Sequence, residues 1–423
     1  MKRFGGGRKI AAPMETLPTA AAPEFDQQIA ELARRAERII TEQDLRRKFL
    51  RAKQTGKPMR IKFGMDPTAA DVTLGHAVPL RVIRQFQDWG HKAVLIIGDY
   101  TARVGDPSGR DQTRPMLSGE EIDAHAKTYL AQVGKILRTD PDHLEIRYNG
   151  EWLAKLNLVE IIRLAGRKTV AQMLDRDSFK ERFTKGVNIQ LHELLYPLLQ
   201  GWDSVMVNAD LEMGGSDQLF NNMVGREFQQ EEGGEGEGGQ VVLVTPILVG
   251  TDGVMKMSKS KGNYIGITDP PGGQTGMYGK IMRLPDALMD NYFQLLTDLA
   301  PQQYKEKIAT DPRGAKGLLA RTIISWLHSP VAADAADQEW QRIHHQGGLP
   351  ADVPEIAIES GPHKLPALLV KAGLAASNGE ATRKIKEGAV SIDGQKVSDF
   401  QKEYIFTVPA IVKLGRRFAK LLP

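Results

Sequence analysis

Residues 60–100 read RIKFGMDPTAADVTLGHAVPLRVIRQFQDWGHKAVLIIGDY, and three segments of this stretch decide the fold. RIKFGMD is a short strand that ends in a glycine turn. AVPLRVIRQFQDWG has its apolar residues at helical spacing and closes on Gly90, and KAVLIIGDY is a nearly continuous apolar strand. A strand, a loop, an amphipathic helix and a buried strand in that order make a βαβ unit of a parallel sheet. Another apolar strand, VVLVTPILVG (241–250), returns much later and runs straight into the lysine-rich stretch MKMSKSKGNY (255–264). The class is therefore α/β.

Outward from this unit, apolar positions at helical spacing in IAELARRAERII predict a helix over about 25–51. Further helices are expected around 118–137, 158–175 and 191–205, the last interrupted and kinked by Pro197. EEGGEGEGG (231–239) is low in complexity and reads as a solvent loop. After the Asp269-Pro-Pro-Gly-Gly segment the pattern is helical to about 347, and a Pro/Gly-rich linker follows over 348–361. The remainder, 362–423, predicts two short helices, LPALLVKAGLA and GEATRKIKEG, then strands in VSIDGQKV and FTVPAIVKLG. The expected domains are thus a sheet-based domain over 25–268, a helical domain over 269–347 and a small α+β domain over 362–423. The Gly/Ala/Pro-rich segment 1–24 lacks a continuous apolar core and reads as a disordered extension rather than a signal peptide.

Composition excludes several classes. There are 0 cysteines, so disulfides and Cys-ligated zinc or iron–sulfur sites are out. The 9 histidines show no His-x-x-x-His spacing, which removes a zinc protease. No apolar run approaches the roughly 18–20 residues of a spanning helix, so the expectation is a cytoplasmic protein with no membrane partner. Net charge is only +4, yet residues 361–423 carry +6 and the rest −2. Basic charge gathered at one end suits an anionic polymer.

Five stretches carry chemistry. GMDPTAADVTLGH (64–76) joins a strand to a helix through glycines. Helix N-termini bind phosphate, so the Gly64 and Gly75 backbone and the His76 side chain suit a nucleotide, although a plain βα turn capped by His76 fits too. GDPSGRDQTR (105–114) is equally a type I turn. Its place at the carboxyl edge of the sheet would let Asp106 hold an ammonium group and let Arg110 and Arg114 reach phosphates. In LHELLYPLLQGWDSV, Tyr196, Gln200 and Asp203 fall on one face of an otherwise apolar helix, which suits a polar ligand in a dry pocket and equally a stripe that satisfies core polar groups or faces solvent. LEMGGSDQLFN places Asp217 after a double glycine, where it can accept from both hydroxyls of a ribose, although taken alone the stretch is equally an ordinary turn. Lys256 and Lys259, on a polar loop, can close on a polyphosphate and stabilise a leaving pyrophosphate.

The order and spacing of these stretches resemble the class I aminoacyl-tRNA synthetases, whose signatures end in a Gly-His pair, here TLGH (73–76), and in KMSKS, here unaltered at 256–260. GDPSG, Tyr-x-x-x-Gln-x-x-Asp and GGSDQ narrow the resemblance to the bacterial-type tyrosyl enzymes, from about 25 to the C-terminus. The resemblance implies a Rossmann-like catalytic domain, a helical tRNA-binding domain and an S4-like RNA-binding tail. It implies the substrates L-tyrosine, ATP with Mg2+ and tRNA(Tyr), no protein-bound metal site, and a homodimer formed through the catalytic domain. Onto matching residues it carries Asp203 as acceptor of the phenol, and Asp106, Tyr196 and Gln200 as holders of the ammonium. Gln218 would lie near the carboxylate, and Asp217 and the Gly64 backbone would bind the ribose. Thr68, His76, Lys256 and Lys259, helped by Arg110 and Arg114, would contact phosphates, with Asp66 lining the nucleotide site. In the tail, Lys364, Arg383, Lys384 and Lys386 would meet tRNA, with Lys413, Arg416, Arg417 and Lys420 following.

Two positions depart from the family pattern. Thr73 stands where many members have His, so one phosphate contact becomes a neutral hydroxyl. Lys62 stands where many have a Tyr that touches the phenol, and one bacterial subgroup is similar in having Lys there; Lys62 is thus placed among the tyrosine-binding residues, with phenol recognition resting more heavily on Asp203. A tryptophanyl relative shares the fold and both signatures, but the Tyr196/Gln200/Asp203 stripe fits a phenol. A silent RNA-binding relative would fail to bind or turn over ATP.

Overall fold

The computed structural model describes residues 23–67, 71–107, 118–233, 238–345, 353–415 and 417–423. Apart from the turn Pro23–Phe25, the extension expected over 1–24 lies outside them. The chain packs as two units, one running to Thr268 and including Leu284–Ala315, the other made of Asp269–Arg283 and Lys316–Pro423.

The helix expected over 25–51 is in fact two helices and a strand. Helix α1 spans Asp26–Ala33, strand β1 Arg38–Ile40, and α2 Glu42–Thr55. The Thr41 hydroxyl accepts from the Asp44 amide and starts α2 afresh. Arg38, Ile39 and Ile40 instead pair antiparallel with Val244, Leu243 and Val242, a partner the local period cannot reveal.

The expected βαβ unit follows: β2 (Arg60–Met65), α3 (Leu74–Asp88) and β3 (Lys92–Ile97), with β2 and β3 in parallel register from Arg60↔Lys92 to Met65↔Ile97. Helix α4 (Gly119–Val133) leads to β4 (Leu144–Tyr148), a half-buried strand for which no apolar run is expected. The stretch 158–175 divides into α5 (Leu158–Ala165) and α6 (Val170–Leu174), because Thr169 caps a new helix with its hydroxyl. Helix α7 (Leu191–Met206) runs through Pro197 without interruption. Strand β5 (Leu211–Gly215), α8 (Leu219–Gly233) and β6 (Val241–Thr245) complete the unit's core, and β6 stops at Thr245, before the Pro-Ile-Leu-Val-Gly end of the expected strand. The sheet order is β1-β6-β5-β2-β3-β4, parallel except for β1. The segment 284–315 belongs to this unit through α9 (Met289–Leu296) and through Asp298, which pairs with Arg35 at 2.5 Å and Arg81 at 2.7 Å.

In the second unit, α10 spans Pro330–His345. Strand β7 (Glu355–Ala357) falls in the stretch read as linker, followed by β8 (Pro362–Lys364) and helices α11 (Leu365–Lys371) and α12 (Asn378–Lys386). Strands β9 (Val390–Ile392) and β10 (Gln395–Val397) form a hairpin whose turn residues, Asp393 and Gly394, both have positive φ, as a two-residue hairpin needs. Strands β11 (Glu403–Ile405), β12 (Ala410–Leu414) and β13 (Arg417–Leu422) follow, and one sheet runs β10-β9-β12-β13-β7. Leu365, Leu369, Ile385, Val412 and Leu421 lie in a shared core beneath it.

Candidate active site

The candidate side chains gather where β2, β3 and β5 end and where α7 passes them. Tyr196, Gln200 and Asp203 occupy one face of α7, with Asp203 buried to 3 % exposure. The Tyr196 hydroxyl donates to Asp66 Oδ2 (2.9 Å), and the Thr101 hydroxyl donates to Asp66 Oδ1 (2.8 Å). The chain passes Asp66 so closely at Gly98 that a Cβ there would lie 2.0 Å from Oδ1, which only glycine avoids. The Asn149 amide donates both to the Thr101 hydroxyl (2.9 Å) and to Asp203 Oδ2 (3.2 Å), while the Trp152 indole donates to Asp203 Oδ1 (2.8 Å). One polar line thus runs from Tyr196 to Asp203. Burial pushes the Asp203 carboxyl up to about 7, against the pull of Lys62, Trp152 and Asn149 and with a further push from Glu212. Each of its oxygens accepts one bond and retains room for another.

Beside this line, Asp106 accepts from Gln218 Nε2 (2.9 Å) and from the buried Arg176 guanidinium (3.4 Å). Asn221 Nδ2 ties Gln200 Oε1 (2.8 Å) to Gln218 Oε1 (3.1 Å). Asp106, Gln200 and Gln218 are therefore one hydrogen-bonded group. Lys62 adjoins this group through Gln200, whose backbone carbonyl accepts from its ammonium at 3.0 Å, and it pairs with Glu212 at 2.8 Å in a fully buried contact.

On the nucleotide side, Thr73 stands just before α3 and is 1 % exposed. His76 Nδ1 lies 3.1 Å from the Thr73 amide and 3.0 Å from its hydroxyl. An amide N–H can only donate, so Nδ1 is the acceptor nitrogen, and the ring proton sits on Nε2 as a donor. The protein packed around the ring, and then the Lys256 ammonium, lower its pKa, so it is neutral near pH 7 although its outer face is exposed. Thr73 therefore turns its hydroxyl to His76. Gly75 lies under the lysine loop, where an added Cβ would come 3.6 Å from Met257 Cβ, and Gly64 is exposed at the end of β2.

The lysine loop is anchored as well as polar. Met257 is 4 % exposed, and its amide donates to the Leu248 carbonyl at 2.9 Å. Buried Asn263 donates to Asp252 Oδ2 (2.8 Å) and to the Lys256 carbonyl (3.2 Å), and accepts from the Ser258 amide (2.8 Å). Lys256 Nζ pairs with Asp217 Oδ2 at 2.6 Å, and Lys259 pairs with Asp71, a contact that raises the lysine's pKa. Both lysines thus pair with acids that follow the ends of β5 and β2. Thr68, Arg110 and Arg114 lie outside the described residues.

In the tail, Lys364 and Lys386 are exposed, and Arg383 and Lys384 both approach Glu387, at 3.8 and 2.7 Å. Lys386 lies over the Phe400 ring and Lys413 over Phe418. Lys420 pairs with Glu355 and Arg417 is exposed, while Arg416 is outside the described residues.

Sequence reasoning missed Thr101, Asn149, Trp152, Arg176, Glu212 and Asn263. Asn149 and Trp152 follow the unread strand β4, so the YNGEW turn had no sheet edge to belong to. Glu212 had a signal of its own, a lone charge inside the apolar run of β5.

The family described as tRNA synthetases class I (W and Y) matches residues 53–345, and a tyrosine–tRNA ligase SYY-like C-terminal domain matches 345–408. The chain is similar to the tyrosine–tRNA ligases of Moorella thermoacetica (45 % identical; 94 % of this chain, 96 % of the relative) and Idiomarina loihiensis (46 %; 94 % and 98 %). Its fold resembles a C-terminally truncated mitochondrial tyrosyl-tRNA synthetase of Aspergillus nidulans (TM-score 0.60, 23 % identical; 76 % of this chain and 97 % of that one). It also resembles the Archaeoglobus fulgidus tyrosyl-tRNA synthetase complexed with L-tyrosine (TM-score 0.57, 21 % identical; 74 % and 99 %).

Proposed function

The chain belongs to the class I tRNA synthetases of the tryptophan and tyrosine type, and among them to the tyrosine–tRNA ligases; on that premise we propose how its residues divide the work. The enzyme activates L-tyrosine with ATP to tyrosyl-adenylate, releasing pyrophosphate, and then transfers tyrosine to the 3′ end of tRNA(Tyr). A carboxylate oxygen of tyrosine attacks the α-phosphorus, and the bond to the β-phosphate bridging oxygen breaks. The carboxylate is already ionised, so no general base is needed, and catalysis is positioning plus charge stabilisation. In the second step a terminal ribose hydroxyl of tRNA attacks the activated carbonyl and AMP leaves.

Asp203 accepts a hydrogen bond from the phenol, and Asp106, Tyr196 and Gln200 hold the ammonium, with Gln218 near the carboxylate. Asp217 and the Gly64 backbone bind the ribose, with Asp66 and the Gly75 backbone lining the nucleotide site. His76 Nε2, Lys256 and Lys259 meet the phosphates, with Thr68, Arg110 and Arg114 assigned alongside them. Mg2+ enters with ATP as substrate. The observation that carries the reading is the buried Asp203 carboxylate, held by Trp152 and Asn149 with acceptor capacity left over. The deciding test is amino-acid-dependent exchange of labelled pyrophosphate into ATP without tRNA. Exchange with tyrosine and not with tryptophan or phenylalanine is expected; exchange with tryptophan would overturn the role of Asp203.

We place the reaction in the cytoplasm, and no helix among the described residues is long and apolar enough to cross a membrane. The enzyme works as a homodimer through the catalytic domain. In support, Leu158, Ile162, Val170, Phe183 and Leu191 are each at least 60 % exposed within one stretch of the first unit. Light scattering should give twice the chain mass; a monomer at micromolar concentration would refute this. Lys364, Arg383, Lys384 and Lys386 contact the tRNA.

A further inference from the structure

Lys62 and Glu212 face each other across neighbouring strands, in register on β2 and β5, with side chains 0 % and 1 % exposed. The Lys62 ammonium donates to Glu212 Oε1 (2.8 Å), to the Ser204 hydroxyl (2.7 Å) and to the Gln200 backbone carbonyl (3.0 Å). An ammonium has three hydrogens. All three are spent inside the protein, and none is left for a substrate.

Glu212 is as fully engaged. Its Oε1 also accepts from the Gln200 side-chain amide (3.2 Å), and its Oε2 accepts from the Ser204 hydroxyl (3.0 Å) and from the Gln240 amide. The two charges therefore grip α7 at the backbone and side chain of residue 200 and at the side chain of residue 204. Asp203 lies between these grips. A buried ion pair holds two strands together no better than a well-packed apolar pair, and often worse. Stability alone thus gives no reason for these two residues, whereas a fixed position of α7 does.

We propose that Lys62 and Glu212 are positioning residues of the amino-acid pocket: they lock the Gln200 amide and the 200–204 turn of α7, so that Gln200 and Asp203 meet bound tyrosine in one arrangement. The inference rests on the tyrosine-activating reading given above. It also explains what a lysine does where a phenol-contacting tyrosine is the family habit: it works through the helix rather than on the ligand.

The test uses the full chain and compares Glu212→Gln, Lys62→Met and the double variant Lys62→Met/Glu212→Gln. Tyrosine-dependent pyrophosphate exchange gives KM for tyrosine and for ATP, and thermal melting gives stability. Glu212→Gln should raise the tyrosine KM about tenfold, the effect of loosening one charge-assisted hydrogen bond, with the ATP KM and kcat within about twofold. Lys62→Met leaves a carboxylate buried without its partner and should melt at the lowest temperature. The double variant removes both charges, so it should regain stability without regaining the tyrosine KM, and it decides the matter if a single variant does not fold. A tyrosine KM that returns to wild type with stability in the double variant would overturn the proposal, as would an unchanged KM in Glu212→Gln. Wild-type protein that fails to exchange with tyrosine would instead sink the functional reading, before any variant is measured.

Discussion

Asp203 shows how one residue can set both affinity and pH behaviour. Burial raises its carboxyl from an ordinary 3.8 to about 7, with Lys62, Trp152 and Asn149 opposing the shift and Glu212 adding to it. The folded state therefore holds this proton more tightly than the unfolded chain. The associated stability is fully present below about pH 4 and is lost as pH rises toward 7. The ionised form is the stronger acceptor for a phenol, so the tyrosine KM should rise as pH falls below about 7. Asp203→Asn should raise the tyrosine KM by about 10- to 100-fold and flatten that profile, since an amide neither titrates nor accepts as strongly. A variant whose profile keeps the wild-type shape would place the titration elsewhere. Thr73 makes the opposite case. Its hydroxyl is aimed at His76 Nδ1, but its own amide makes the same contact. Thr73→Ala should therefore cost about 1 kcal/mol, the loss of one side-chain hydrogen bond to His76, read from the urea midpoint. Exchange should fall less than tenfold, because the tautomer stays fixed; a far larger fall would mean that the hydroxyl acts on the nucleotide.

Among the elements, the lysine loop depends on a residue that looks like filler. Asn263 joins the loop's two limbs through Asp252, the Lys256 carbonyl and the Ser258 amide, so the lysines start from a shaped loop rather than a free one. Asn263→Ala should slow single-turnover adenylate formation by about 10- to 100-fold with tyrosine binding unchanged, the signature expected of Lys259→Ala as well. Equal losses in tyrosine binding and rate would instead mean that the mutation disturbs the whole site. Legibility follows the same scale. The unit β2–α3–β3 was readable because each element buries a full face and so carries its own period. Strand β1 was not: Arg38–Ile40 continues a helical pattern and becomes a strand only by pairing with residues about 200 positions away. Strand β4 is half-exposed, and its loss from the reading took Asn149 and Trp152 with it. The face of Tyr196, Gln200 and Asp203 was legible because a helix fixes its own spacing. What those residues bond to was not, because Asp66 and Asn149 arrive from the ends of β2 and β4 and Glu212 from within β5.

For the molecule as a whole, the question is whether activation and tRNA binding can be separated. The last stretch has its own apolar core, and β7 belongs to its sheet through Glu355↔Lys420, Ile356↔Leu421 and Ala357↔Leu422. A cut at residue 361 would therefore strip an edge strand from β13, and a deletion should begin at Pro354 to remove the folded piece entire. Such a deletion should leave tyrosine-dependent exchange within about twofold and abolish most charging of tRNA, because only the second reaction needs the polymer's phosphates. Point substitutions refine the argument. Arg383 is mostly exposed despite its nearby acid, and Lys386 is exposed over Phe400, so both can exchange their protein contacts for phosphate at small cost. Arg383→Ala and Lys386→Ala should each reduce the slope of log affinity for tRNA against log salt by about one, leaving exchange untouched. Unaltered salt slopes together with normal charging would show that these cations are only a solvated face, and would move the tRNA contact to other basic residues.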